Sequence, residues 1–155
     1  MMLADGPAAT VLLHAVRRFA YEVDTLRPGD VVSLTPDRQV LSPERSNLLS
    51  GTAVHIRPGS FPRGTDGNLF PEQLTVLEDI TAEAGGVLAW GGHLDVPDQG
   101  LLYVDVRPSS PALSGLADRF AHVDRMDVAG GAGDVDVFDP DRRRAATRFR
   151  LGRRR

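Results

Sequence analysis

The stretch Ser46-Asn47-Leu48-Leu49-Ser50-Gly51-Thr52-Ala53-Val54-His55 decides how the rest of the chain is read. Successive strand side chains point to opposite faces, so the segment Thr52 to Ile56 predicts a strand with Ala53 and His55 on one side and Val54 and Ile56 on the other. A second segment belongs with it. Val87 to Trp90 is an apolar strand candidate; Gly91-Gly92-His93 and a short loop follow, and Asp98-Gln99-Gly100 leads into a further strand over Leu101 to Val106.

Working outward, Leu12, Val16, Phe19, Val23 and Leu26 recur at three- and four-residue spacings and predict a helix from Pro7 to about Leu26, with Arg18 and Glu22 on its other side. Arg27-Pro28-Gly29-Asp30 should end it. Val31 to Leu34 and Gln39 to Leu41 read as short strands around Thr35-Pro36-Asp37-Arg38, and Arg57 to Asn68 as a long loop of the kind that often carries function. Pro71 opens a helix carrying Leu74, Leu77, Ile80 and Ala84 up to Gly85-Gly86; Pro111 opens a shorter one that turns Leu113, Leu116, Ala117 and Phe120 inward. Ala129 to Gly133 reads as a flexible joint. Beyond it, Asp134 to Asp139 and Ala145 to Leu151 alternate around Pro140-Asp141-Arg142-Arg143, which predicts a terminal β-hairpin. The expected organisation is a main domain over residues 1–127, then joint, hairpin and basic tail over 128–155.

Composition narrows the chemistry. The 155 residues include no cysteine, which removes thiolate catalysis and thiolate metal sites and leaves histidine and carboxylate as the metal ligands. All 18 basic residues are arginine, and they are unevenly placed: residues 1–141 hold 10 Arg against 21 Asp plus Glu, a net of −11, whereas Arg142 onward carries +8. Lysine's absence removes the phosphate-binding loop of the glycine-lysine type, and there is no Gly-x-Ser-x-Gly nucleophile elbow. No run is apolar enough to span a membrane, and the N-terminal residues lack a basic region followed by an apolar core. The expected location is therefore the cytoplasm or a phage-like particle.

The two motif segments resemble those of the zinc-dependent D-alanyl-D-alanine carboxypeptidase and L-alanyl-D-glutamate endopeptidase family, which cleaves peptidoglycan stem peptides and shares a fold with the hedgehog signalling domain. That family's first motif runs Ser-x-His-x-x-Gly-x-Ala-x-Asp, with the His and Asp on zinc; here Ser46, Gly51 and Ala53 match, and Leu48 and His55 stand at the ligand positions. The second runs Trp-Gly-Gly-Asp, a loop, then Asp-x-x-His. Trp90, Gly91 and Gly92 match, His93 follows them, Asp98 takes the place of the catalytic base, and Leu101 that of the third ligand. The resemblance covers roughly Leu12 to Phe120 and implies an α+β fold, a small antiparallel sheet with helices packed on one side, to which the C-terminal β-hairpin is appended.

A hydrolytic zinc needs about three protein ligands and an open position for water, and leucine has no lone pair to give. The resemblance therefore implies a degenerate, non-catalytic relative without cofactor or metal. His55, Trp90, His93, Asp98 and Tyr103 would line a retained ligand cleft, and His55 would face Asp98 across the place of the lost metal. The expected partner is a stem peptide or another protein. Two other outcomes are carried forward: Leu48 and Leu101 as plain core residues, and a rescued metal site built from His55, His93 and Asp95 or Asp98. His14 and His122 fall on helices elsewhere and receive no role. Nucleic acid is not the expected partner of the arginine-rich end, since Asp134 and Asp136 on the facing strand would pair with Arg148 and Arg150.

Overall fold

Each of the five α-helices among the described residues begins at a proline: α1 Pro7–Arg18, α2 Pro43–Ser50, α3 Pro71–Glu83, α4 Pro111–Gly130 and α5 Pro140–Arg153. Proline suits a first helical position, because its missing N–H would have no intrahelical partner there and its fixed φ is already helical. The computed structural model describes residues 3, 5–33, 43–130 and 138–153. The expected strand at Gln39 to Leu41, the turn before it, and residues 131–137 of the joint and first hairpin strand lie outside these.

Four short strands, β1 Val31–Val32, β2 Ala53–Ile56, β3 Leu88–Trp90 and β4 Leu101–Val104, form one antiparallel sheet in the order β1-β2-β4-β3. The chain is therefore α+β. Alternation divides the sheet's side chains cleanly. Val54, Ile56, Leu88, Trp90, Leu102 and Val104 join the main core with Val11, Leu12 and Phe19 of α1, Val76, Leu77 and Ile80 of α3, and Leu113, Leu116 and Phe120 of α4. The opposite face carries Ala53, Ala89, Leu101 and Tyr103. They form a second, smaller core with Leu48 of α2. Helices therefore cover both faces, which corrects the expectation of helices on one side: the second motif-bearing segment needs its own cover, and α2 supplies it.

Two helices end differently from their sequence patterns. After Arg18 the chain makes a wider turn over Phe19–Val23, closed by Asp24 N–H donating to the Phe19 carbonyl at 3.1 Å, and Asp24 is then extended. Arg18 lies on the buried stripe of α1 by regular helical spacing, three residues after Ala15 and seven after Val11, and is itself buried. At the other end of the chain, α4 runs through Ala129 and Gly130, so those two residues are helical rather than part of a joint.

The larger correction is α5. Residues 145–151 are helical, not a strand of a hairpin. Asp139 caps the helix, its Oδ1 accepting from the N–H groups of Asp141 at 2.9 Å and Arg142 at 3.1 Å. The residues that meet the domain are Arg142, Ala146, Phe149 and Arg150, at helical spacing; the Phe149 ring lies over Gly86, and two of the four contacts are ionic. A two-residue alternation of Arg148-Phe149-Arg150-Leu151 concealed that face because half of it is charged.

Candidate functional site

His55 sits on β2 opposite Leu101 of β4 and Val32 of β1, on the face away from the main core. Asp98 lies in the loop that precedes β4. That loop is stitched at both ends: Asp98 N–H donates to the Gly91 carbonyl at 2.9 Å, and Leu101 N–H to the Asp98 carbonyl at 3.0 Å. The Trp90 indole N–H donates to the Gln99 carbonyl at 2.8 Å, while the Gln99 side-chain oxygen accepts from both nitrogens of Asn68. Gly64 N–H reaches the Pro97 carbonyl at 2.6 Å. The long loop after β2 thus clamps the Asp98 loop against the sheet.

The clamp brings His55 and Asp98 together. His55 Nε2 lies 2.6 Å from Asp98 Oδ1, with the residues 3% and 0% exposed. His55 Nδ1 has no hydrogen-bond partner among the described residues. Two glycines make the close approach possible. A Cβ on Gly100 would come within 2.4 Å of the Ile56 carbonyl oxygen and 3.0 Å of His55 Cε1; one on Gly91 would come within 2.4 Å of the Asp98 carbonyl oxygen.

Leu101 adjoins this pair across the strands, whereas Trp90 and His93 belong to other surroundings. Leu48 and Leu101 pack in the second core, and Tyr103 is buried there, flanked across the sheet by Ala53 and Ala89, whose small side chains leave room for its ring. Trp90 points the other way, into the main core. His93 packs edge-on against the Trp90 ring, 5.0 Å between centroids, with its Nε2 3.9 Å from Glu78. No group of three His, Asp or Glu side chains able to hold a metal ion comes together among the described residues. The donor set does not fit the zinc that the resemblance would imply: two of its positions are hydrocarbon, and the third residue's Nε2 already bonds a carboxylate. An open polar hollow of about 530 Å³ exists elsewhere, lined by residues that include Arg27, Asp30 and Arg57, and none of the expected cleft residues borders it.

A second charged cluster escaped the sequence reading. Arg18 donates to Glu22 through Nε at 2.6 Å and Nη2 at 2.7 Å, and through Nη1 to Asp79 at 2.9 Å and Glu83 at 2.8 Å. Arg142 of α5 reaches the same Asp79 through Nε at 3.0 Å and Nη2 at 2.8 Å. Beside them the buried His14 ring stacks on Phe120 at 3.9 Å, with Nδ1 3.1 Å from Asp124, which Arg17 also engages, and Nε2 4.0 Å from Glu83. Burial opposes a charge on His14, but the carboxylates of Glu83 and Asp124 outweigh it and raise the ring above its ordinary value; at 4.0 Å the pull of Glu83 acts through charge rather than a formed bond. Burial likewise works against ionised Glu83, yet His14, Arg18 and Arg142 hold it at about 2. The signal for this cluster was present as an acid, Asp79, set between Leu77 and Ile80 on an otherwise apolar helix face.

Comparison with protein-family models, with curated proteins and with solved structures finds no match for this chain. No helix among the described residues is long and apolar enough to cross a membrane.

Proposed function

We propose that the chain is a non-catalytic relative of the zinc D-alanyl-D-alanine carboxypeptidases, built on the hedgehog and DD-peptidase fold, and that it acts by associating with a protein partner rather than by hydrolysis. One observation supports this above the others: Leu48 and Leu101 stand in two ligand positions and pack into a closed core, while His55, at the third, bonds Asp98. Asp98 then has no metal-activated water to deprotonate. Burial of His55, Trp90, Asp98 and Tyr103 leaves a stem peptide little floor to rest on, which favours assembly, as in a structural component of a phage particle or injection device, over gripping of cell-wall peptide.

Restoring the family's ligands tests the kinship. The combined substitution Leu48→His, His55→Asp and Leu101→His should take up one zinc per chain where the parent takes none. If the variant is unfolded without metal, zinc should restore its circular dichroism, because the ligands come together only in the folded chain and binding is therefore coupled to folding. A variant that neither binds zinc nor refolds with it would overturn the kinship. For the parent chain, stoichiometric zinc with chelator-sensitive cleavage of a stem peptide would instead establish a hydrolase with relocated ligands. Co-sedimentation with isolated cell walls would establish the peptide-binding cleft.

A further inference from the structure

The two sides of α5 use their arginines differently. On the inner side Arg142 is held by Asp79 and Arg150 by Glu78 at 2.7 Å. Arg144 and Arg148 lie on the outer side and Arg143, seven residues before Arg150, at its edge; all three are exposed, and among the described residues no carboxylate pairs with Arg143 or Arg148. Arg144 has only a 3.4 Å contact with Asp141, both side chains being largely in solvent. Four residues at 1.5 Å rise place Arg144 and Arg148 about 6 Å apart along the helix axis. Arg153, Arg154 and Arg155 follow in the sequence. Residues 145–151 are helical rather than a hairpin strand, and the Arg148 side chain is exposed on the helix.

We propose that the outer face of α5 binds the phosphate backbone of duplex nucleic acid. Three chemistries can use an exposed guanidinium row, and the face discriminates among them. A protein–protein interface needs an apolar centre, whereas here a single large apolar side chain, Leu151, accompanies the arginines, with Ala145, Thr147 and Asp141. Single strands are held largely by aromatic platforms, and this face has none. Duplex phosphates need neither, since affinity comes from counterions released as each phosphate meets a cation, and guanidinium matches phosphate oxygens in a two-pronged geometry. The −11 carried by residues 1–141 repels a polyanion from the rest of the molecule and confines it to this one helix. The inference rests on α5 alone and is independent of the kinship proposed above.

Fluorescence anisotropy of a labelled mixed-sequence duplex, titrated with the full chain, tests it. The three exposed arginines of α5 neutralise about three phosphates, which sets a slope of about −3 for log affinity against log salt, or roughly a sixtyfold loss between about 50 and 200 mM. The variant Arg143→Gln, Arg144→Gln, Arg148→Gln keeps good helix formers on an exposed face and should leave the circular dichroism unchanged while reducing that slope by about 3. Asp141→Asn should tighten binding. The proposal is overturned if the duplex does not bind at about 50 mM salt or if the triple variant keeps the full slope. It is equally overturned if polyglutamate displaces the duplex at matched charge, or if anionic vesicles bind where duplex does not.

Discussion

Replacing Asp79 by alanine tests how α5 is held to the domain. The Asp79 side chain is 6% exposed and accepts one hydrogen bond from Arg18 and two from Arg142. Removing one partner of a fully buried ion pair costs about 3–5 kcal/mol, because the other charge is left buried without compensation. Here two features reduce that figure. Arg18 keeps Glu22 and Glu83, and the Arg142 side chain, 34% exposed, can return to water. We expect a loss of about 3 kcal/mol, at the lower end of that range. In urea, with a slope of about 2 kcal/mol per molar, the midpoint should fall by roughly 1.5 M. Because Ala146 is the one buried apolar residue of α5 among the described residues, with Phe149 half-buried over Gly86, hydrogen exchange should show the amides of residues 141–153 losing protection first, before those of α3. The cycle combining Asp79→Ala with Arg142→Ala should give a coupling of about 1–2 kcal/mol. A midpoint shift under about 0.3 M, or strictly additive single and double variants, would refute the claim that these charges dock the helix.

Four further outcomes follow from the same geometry. His55→Leu alone should destabilise by about 3 kcal/mol, by removing the imidazole 2.6 Å from the buried Asp98 carboxylate, whereas His55→Leu with Asp98→Leu should recover most of the loss in a denaturant titration. Gly100→Ala should cost about 2–3 kcal/mol, since the added methyl has backbone oxygen 2.4 Å away and cannot be accommodated by a side-chain shift; a neutral result would refute the close approach. Stability should depend on pH through the His14 cluster, where the ring faces Glu83 of α3 and Asp124 of α4, with Arg17 and Arg18 of α1 and Arg142 of α5 close by. The raised His14 contributes fully below its unfolded value of 6.5 and loses that contribution as pH rises through the folded value. Glu83, held at about 2, contributes above 4.5 and loses it as pH falls. Melting temperature should therefore be highest between these limits, and His14→Gln should remove the decline on the alkaline side. Arg144→Ala, which breaks only an exposed contact, should change stability by less than about 0.5 kcal/mol in the same urea assay.

How far the fold could be read from the sequence follows from which residues make its contacts. Where burial is apolar, periodicity suffices: Leu77 and Ile80 on α3, Leu113, Leu116, Ala117 and Phe120 on α4, and the alternation across β2 and β4 all fall where spacing places them. Where burial is ionic, the same method fails. Arg18 reads as an outward residue and Arg148-Phe149-Arg150-Leu151 as a strand, since a hydrophobicity pattern treats a buried guanidinium as solvent-facing. A different signal was available. Proline at the first helical position, already decisive at Pro71 and Pro111, also stands at Pro43 and at Pro140, where Asp139 provides the cap. Weighing Asp-Pro as a helix start rather than a turn would have yielded α5.

The site divides along the same line, and the division bears on function. Pairing of His55 with Asp98 could be anticipated because two short motifs located both side chains relative to one strand pair; the burial of that pair could not, since it depends on Asn68, Gln99 and Trp90 drawing two loops together from opposite ends of the motif. A carboxylate and an imidazole closed off in this way tie β2 to the loop before β4. The chain's strongest charge asymmetry lies away from this pair, toward the C-terminal arginines. Residues from Arg142 onward carry +8, of which the domain neutralises Arg142 and Arg150 and leaves the outer arginines of α5 to solvent. Destabilising α5 through Asp79 and stripping its outer charge through Arg143, Arg144 and Arg148 should accordingly separate. The first should lower stability and weaken duplex binding only as the helix frays, and the second should abolish most of the salt-dependent binding in a chain as stable as the parent.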